Sequence, residues 1–358
     1  MLQFVADHVI PKNRKAWMCT RVVYLGPNGN NLTARSMDWK DDIGTNLWIF
    51  PRGMVRDGKA GPNSLTWTSR YGSVIASGYD IATTDGLNEA GLSANLLWLV
   101  ESEYPALDKA KPGLSIAAWA QYVLDSFATV QETVDALKDE PFILVTDGVP
   151  GEKRLATLHL SISDKSGDSA IIEYIGGRQV IHHDRSYQVM TNSPVFEKQL
   201  ALNEYWQQIS GTVMLPGTNR AADRFARASF YVNAIPKVED PKVSLAGVFS
   251  VIRNVSVPLG ISTPNEPNIS STRWRTVAHH HQNLYFFESA LAPNIFWIDL
   301  AQVDFSAETG TVRKLDLGPN QGNIFSGEVS SAFAPSAPFA FLGPDAGPTP
   351  PQPEPSGP

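Results

Sequence analysis

Short β-rich runs punctuated by turn residues fall into three blocks along this chain, and two helical blocks separate them. That order constrains the fold more than any other feature. The first block holds candidate strands at 20–25, 32–36, 46–50, 72–77 and 91–100, broken by GPNGNN and by the glycine-rich stretch around 53–61. The last of these, GLSANLLWLV, is apolar with weak alternation, as in a strand buried on both faces. A helical block follows at 115–128, where Ile116, Trp119, Ala120, Val123 and Phe127 recur at spacings of three and four. Thr129-Val-Gln-Glu132 has the form of a capping box and opens a second short helix running to 137. Strands at 155–163, 169–174, 179–182 and 187–191 then read as a meander, with 164–168 and Gly176-Gly177 as turns. Helices over 196–210 and 221–232, and strands at 272–280, 283–288 and 295–299, complete the order. Such an order predicts an α+β fold of two sheets covered by helices.

With 358 residues, 42% of them hydrophobic, the chain can bury one large layered core. A net charge of −7 and the lack of any Lys/Arg cluster argue against nucleic acid as a partner. No run approaches the ~20 apolar residues of a membrane span. The first 18 residues lack the continuous apolar core of a secretory signal, being broken by Asp7, His8 and Pro11. That leaves a cytoplasmic chain, or a start that omits or replaces an export signal. From Gly343 onward, GPDAGPTPPQPEPSGP is too proline-rich to pack and is expected to be a disordered extension.

The single cysteine, Cys19, excludes an intramolecular disulfide. A lone cysteine is ordinarily a small buried hydrophobe. Reading it as a nucleophile requires a base and an oxyanion holder. None of the seven histidines sits in a cysteine-protease signature. Cleavage before Cys19 would supply another base, its own α-amine, whose unperturbed pKa is roughly 7.7–8.0. In Thr33-Ala-Arg35-Ser-Met-Asp38-Trp39, strand alternation puts Arg35 and Met37 on one face, with Asp38 where the strand bends away. A hairpin with the Cys19 strand would bring this cation and carboxylate beside the thiol. Taken alone, Arg35 and Asp38 read more readily as an ordinary surface ion pair than as a site. Asn192 in Thr-Asn-Ser-Pro could donate to an oxyanion, or could simply belong to a turn before a helix. His279-His280-His281 is not expected to bind metal, since strand neighbours point to opposite faces and no matching ligands accompany them. Gly167-Asp168-Ser169 falls in a turn without a triad framework.

Further motifs join these: Asp85-Gly-Leu-Asn-Glu-Ala-Gly-Leu92, Leu215-Pro-Gly217, Asp223-Arg224-Phe225, Thr272-Arg-Trp-Arg275, Tyr285-Phe-Phe-Glu-Ser289 and Leu315-Asp-Leu-Gly-Pro-Asn320. In order and spacing, the set resembles the choloylglycine hydrolase family of N-terminal-nucleophile (Ntn) hydrolases over residues 19–342. Within that family of bile salt hydrolases and penicillin V acylases, it is most similar to the Gram-negative acylases.

The resemblance implies a four-layer αββα sandwich, a segment 1–18 removed on maturation after Met18, and no cofactor. Cys19 would be the nucleophile, Asp38 would bond its freed amine, and Arg35 would lie close to the thiol. Asn192, with a backbone N–H near Leu97-Trp98, would form the oxyanion hole, and Arg224 would stabilise charge around the site. Trp39 and Trp98 are similar to an aromatic pair that grips the acyl group, although size and apolarity alone fit core filler as well. Trp98 stands where typical bile salt hydrolases carry asparagine, which disfavours a bile salt. The implied substrate is penicillin V, split through a thioester into phenoxyacetate and 6-aminopenicillanic acid. The alternatives are an N-acyl-homoserine lactone or, from a different class, ligand binding by an unprocessed relative without turnover. The resemblance further implies a periplasmic homotetramer.

Overall fold

The computed structural model describes residues 18–344 except 107, 109, 151–153, 262–269 and 293. Of the segment 1–18 only Met18, and of the proline-rich tail only Gly343 and Pro344, fall among the described residues. Strands β1 (Met18–Tyr24) and β2 (Leu32–Trp39) are neighbours in a seven-stranded sheet. From edge to edge that sheet runs Val189–Met190, β1, β2, Ser271–His279, Leu284–Ser289, Ile295–Asp299 and Gly327–Glu328. The second sheet has nine strands, in the order Arg178–His183, Ser169–Ile175, Leu158–Ser163, Ser93–Trp98, Ala82–Asn88, Ser73–Gly78, Leu47–Phe50, Arg313–Leu315 and Ala334–Pro335.

The sheets pack face to face and are bolted by buried polar contacts. Thr33 Oγ1 lies 2.7 Å from Ser163 Oγ, and the Arg21 guanidinium donates to the Ile162 carbonyl at 3.0 Å. Helices α1 (Trp119–Ser126) and α2 (Val130–Leu137) cover the nine-stranded sheet. Helices α4 (Ala221–Ala234) and α5 (Pro241–Asn254) cover the other, with α3 (Phe196–Ile209) packed on α4. The result is the four-layer αββα sandwich. Covered on both sides, β1 and β2 are buried at every residue, so their sequences show no clean polar alternation.

Half of the capping box at Thr129 is formed, with Thr129 Oγ1 accepting from the Glu132 N–H at 3.1 Å. The Glu132 carboxylate accepts from the Ala128 N–H at 2.8 Å in place of that of Thr129. The helix expected over 115–128 is shorter. Ser115 caps a 3-10 turn at Ile116–Ala118, and α1 starts only at Trp119. Several elements were not anticipated, among them α5 and the strand Ala82–Asn88. Asp240 caps α5 through the Lys242 N–H at 2.8 Å, and Ser244, Val248, Val251 and Ile252 give it a buried face at helical spacing. The strand Ala82–Asn88 contains Asp85, Gly86 and Asn88, poor strand formers that tertiary contacts override. Asp85 accepts from Asn95 Nδ2 at 2.6 Å and from Thr276 at 3.1 Å. A Cβ on Gly86 would meet Ile75 and Leu124 at 2.7 Å, so only glycine lets α1 approach this closely. Of the three consecutive histidines, His280 is an internal brace, bonded to Thr33 at 2.8 Å and the Gly91 carbonyl at 2.9 Å.

Candidate active site

β1 and β2 pair antiparallel with Cys19 opposite Met37, which sets Arg35 on the same inter-sheet face as the thiol. Arg35 Nη2 lies 3.8 Å from Cys19 Sγ and donates to the Leu96 carbonyl at 3.1 Å. Its guanidinium carbon stands 4.5 Å from the centroid of the Trp274 ring. Among the described residues its Nε and Nη1 have no hydrogen-bond partner. The buried cation acts electrostatically on the sulfur, as it also does on Asp85 and Asp38. Burial pushes the Cys19 thiol up from its ordinary range, and the Arg35 cation pulls against that shift.

The strand does not bend away at Asp38 as expected. β2 continues through Trp39, with Asp38 opposite both Met18 and Thr272. Alternation then turns Asp38 to the opposite face of the sheet, toward α4. Nor is there a surface ion pair: Arg35 and Asp38 are 1% and 0% exposed. Asp38 instead accepts from Thr272 Oγ1 at 2.6 Å and faces Arg224 Nη1 at 4.0 Å. Burial raises its carboxyl, and Arg224 and Thr272 oppose the rise.

Arg224, in the first turn of α4, is fully buried and ties the site together. Nη1 donates to the Cys19 carbonyl at 2.6 Å and to Thr20 Oγ1 at 2.5 Å, while Nη2 donates to Asn192 Oδ1 at 2.7 Å. Asn192 Oδ1 also accepts from the Cys19 backbone N–H at 2.6 Å, and Asn192 Nδ2 donates to the Trp98 carbonyl at 2.7 Å. The Asn192 amide thus bridges the Cys19 backbone nitrogen to the strand Ser93–Trp98. One N–H of Nδ2 remains to aim at an oxyanion.

The thiol opens into an apolar cavity of about 780 Å³ of empty space, including its mouth. Trp39 and Trp98 both line it, their ring centroids 5.8 Å apart and tilted by 55°. They are cavity lining as well as core.

Sequence reasoning missed the supports beneath these groups. Thr272 fixes Asp38, and Gln199 Nε2 donates to the Asn192 carbonyl. His159 contacts the Thr191 carbonyl through Nε2 at 2.8 Å and Glu173 through Nδ1 at 3.1 Å, so it holds the residue before Asn192. The partners of His159 lie 14 and 32 positions away, so no local pattern announces them. A signal for Gln199 was available, since it lies one helical turn into the element that Asn-Ser-Pro opens.

A family model described as linear amide C–N hydrolases, choloylglycine hydrolase family, matches residues 19–313. A penicillin V acylase from Pectobacterium atrosepticum is 62% identical over 346 residues, covering 91% of this chain and 92% of that protein. The solved structure of a penicillin V acylase from Agrobacterium tumefaciens superposes with a TM-score of 0.86 at 69% identity, covering 91% of this chain and all (100%) of that one. A variant of conjugated bile acid hydrolase from Clostridium perfringens superposes at 0.72 with 22% identity, covering 87% of this chain and 98% of that one. At that identity the likeness speaks for the fold alone.

Proposed function

We propose a function from one established premise: this chain belongs to the choloylglycine hydrolase family of linear amide C–N hydrolases. On our reading it is a penicillin V acylase in which Cys19 acts as an N-terminal nucleophile. The observation that carries the reading is the convergence of the site on both reactive atoms of one residue. Asn192 Oδ1 meets the Cys19 nitrogen at 2.6 Å, while the sulfur opens into the apolar cavity. In the chain as it stands that nitrogen is an amide without useful basicity. Once the Met18–Cys19 bond is cut, it becomes an amine that takes the thiol proton.

The thiolate, favoured by Arg35, attacks the amide carbonyl of penicillin V. The free N–H of Asn192 and a backbone donor near Leu97-Trp98 hold the oxyanion. The Cys19 ammonium returns its proton to the leaving nitrogen, releasing 6-aminopenicillanic acid. Water then cleaves the thioester to phenoxyacetate and regenerates the thiol. Asp38 holds the amine, Arg224 holds Asn192 and the Cys19 carbonyl, and Trp39 and Trp98 grip the phenoxyacetyl ring. Support for this substrate comes from the 62% identity to a penicillin V acylase. A periplasmic homotetramer, as the resemblance implies, is part of the same proposal.

The test is intact-mass analysis of purified protein, with assay of 6-aminopenicillanic acid release. Active protein should begin at Cys19; active protein retaining Met18 would overturn the mechanism. A protein that keeps residues 1–18 and binds penicillin V without turnover would be a binding relative. The apolar lining of the cavity suits one second substrate, a long-chain N-acyl-homoserine lactone, and kcat/KM for the two decides between them. Replacing Asn192 by alanine should lower kcat by about 10²–10³-fold. An unchanged kcat in stopped assays of folded protein would return Asn192 to a purely structural role.

A further inference from the structure

The chain's last described residues do not trail away from the domain. Phe339 packs edge-on against Trp48, with ring centroids 5.2 Å apart, and Phe341 is buried. Leu342 follows and lines the same cavity as Cys19. Its backbone is held on both sides. The Leu342 N–H donates to the Ile81 carbonyl at 2.9 Å, and its carbonyl accepts from Ser115 Oγ. Ile81 and Ser115 line the cavity too, so these three form one group of lining residues. Around the thiol, in the same cavity, Arg35 bonds Met37, Leu96 and Cys19.

Gly343 makes this placement possible. A Cβ there would lie 1.8 Å from the Lys59 carbonyl oxygen and 2.9 Å from its carbonyl carbon. Those are backbone atoms that cannot swing aside, so only glycine lets the chain pass Lys59 and set Leu342 in the cavity.

We propose that Leu342, held in place by the C-terminal segment 339–343, is part of the acyl-binding site and sets the length and shape of acyl group that fits. The inference rests on the amidase reading above for its chemistry. An acyl carbon bonded to the Cys19 sulfur must send its chain into this cavity, because the rest of the thiol's surroundings are packed. Apolar lining such as Leu342 then meets that chain, and one methylene too many or too few against such a wall is worth about 10-fold or more in discrimination.

The test is calorimetric titration of the full chain with two carboxylates that mimic the acyl product, phenoxyacetate and decanoate. Leu342→Ala should raise the ratio of decanoate to phenoxyacetate affinity by on the order of tenfold, and Leu342→Trp should lower it. Gly343→Ala, whose own methyl would not line the cavity, should also move the ratio by displacing Leu342. Should that variant fail to fold, the two Leu342 variants decide the matter alone. A ratio unchanged in both Leu342 variants, with wild-type melting temperatures, overturns the proposal. Binding is read separately from turnover. Wild-type protein that binds both acids but cleaves no penicillin V, together with the expected ratio changes in the Leu342 variants, would support the Leu342 assignment and sink only the amidase reading.

Discussion

Cys19→Ser is expected to fold as the parent does and to lose on the order of 10³-fold or more in kcat for penicillin V. The residue is 4% exposed, and oxygen for sulfur is a small change of volume in β1. The chemistry changes far more. A serine hydroxyl is much harder to deprotonate than a thiol, so in a site built for sulfur the same α-amine yields far less of the activated nucleophile. Arg35 Nη2, 3.8 Å from the sulfur, would face a smaller atom at greater separation. Steady-state release of 6-aminopenicillanic acid measures the loss, and thermal melting checks the fold. Turnover near that of the parent would rule out a thiol mechanism. Intact mass of the same variant tells whether the Met18–Cys19 bond still breaks with oxygen as the nucleophile.

The second large effect is expected at Arg224. Alanine there removes donors from the Cys19 carbonyl, from Thr20 and from Asn192 Oδ1, and takes the nearest cation, at 4.0 Å, from the buried Asp38. Leaving a buried charge without its partner costs about 3–5 kcal/mol. Urea unfolding of Arg224→Ala should show a loss of that order. The folded fraction should also turn over poorly, because Asn192 loses one of the two donors that orient its amide. A stability loss below about 1 kcal/mol, within the range of exposed pairs, would mean that Asp38 finds another partner. Normal kcat in the folded fraction would make Arg224 a structural cation only.

Much of the architecture was legible because it rests on local chemistry. Thr129 and Glu132 stand three residues apart, and the threonine hydroxyl caps the Glu132 N–H wherever the chain runs. Ile116, Trp119, Ala120 and Val123 repeat at helical spacing, and α1 buries Trp119, Ala120 and Val123. The strand Ala82–Asn88 shows the opposite case. Its Asp85 and Gly86 argue against a strand, and only the donors of Asn95 and Thr276 and the closeness of Leu124 make them fit.

The site divides along the same line. The order of elements and the collinear motifs around Cys19, Arg35, Asp38, Asn192 and Arg224 identified a family and a set of residues from sequence alone, because spacing along the chain is itself the signal. Only the tertiary structure decided what each of them touches. Cys19 and Asn192 are 173 residues apart, and Cys19 and Arg224 are 205 apart. Asp38 turned out to face α4, and Leu342 came back to line the cavity. Local sequence sets backbone conformation within a few residues, whereas partners so distant meet only when two sheets and their covering helices pack.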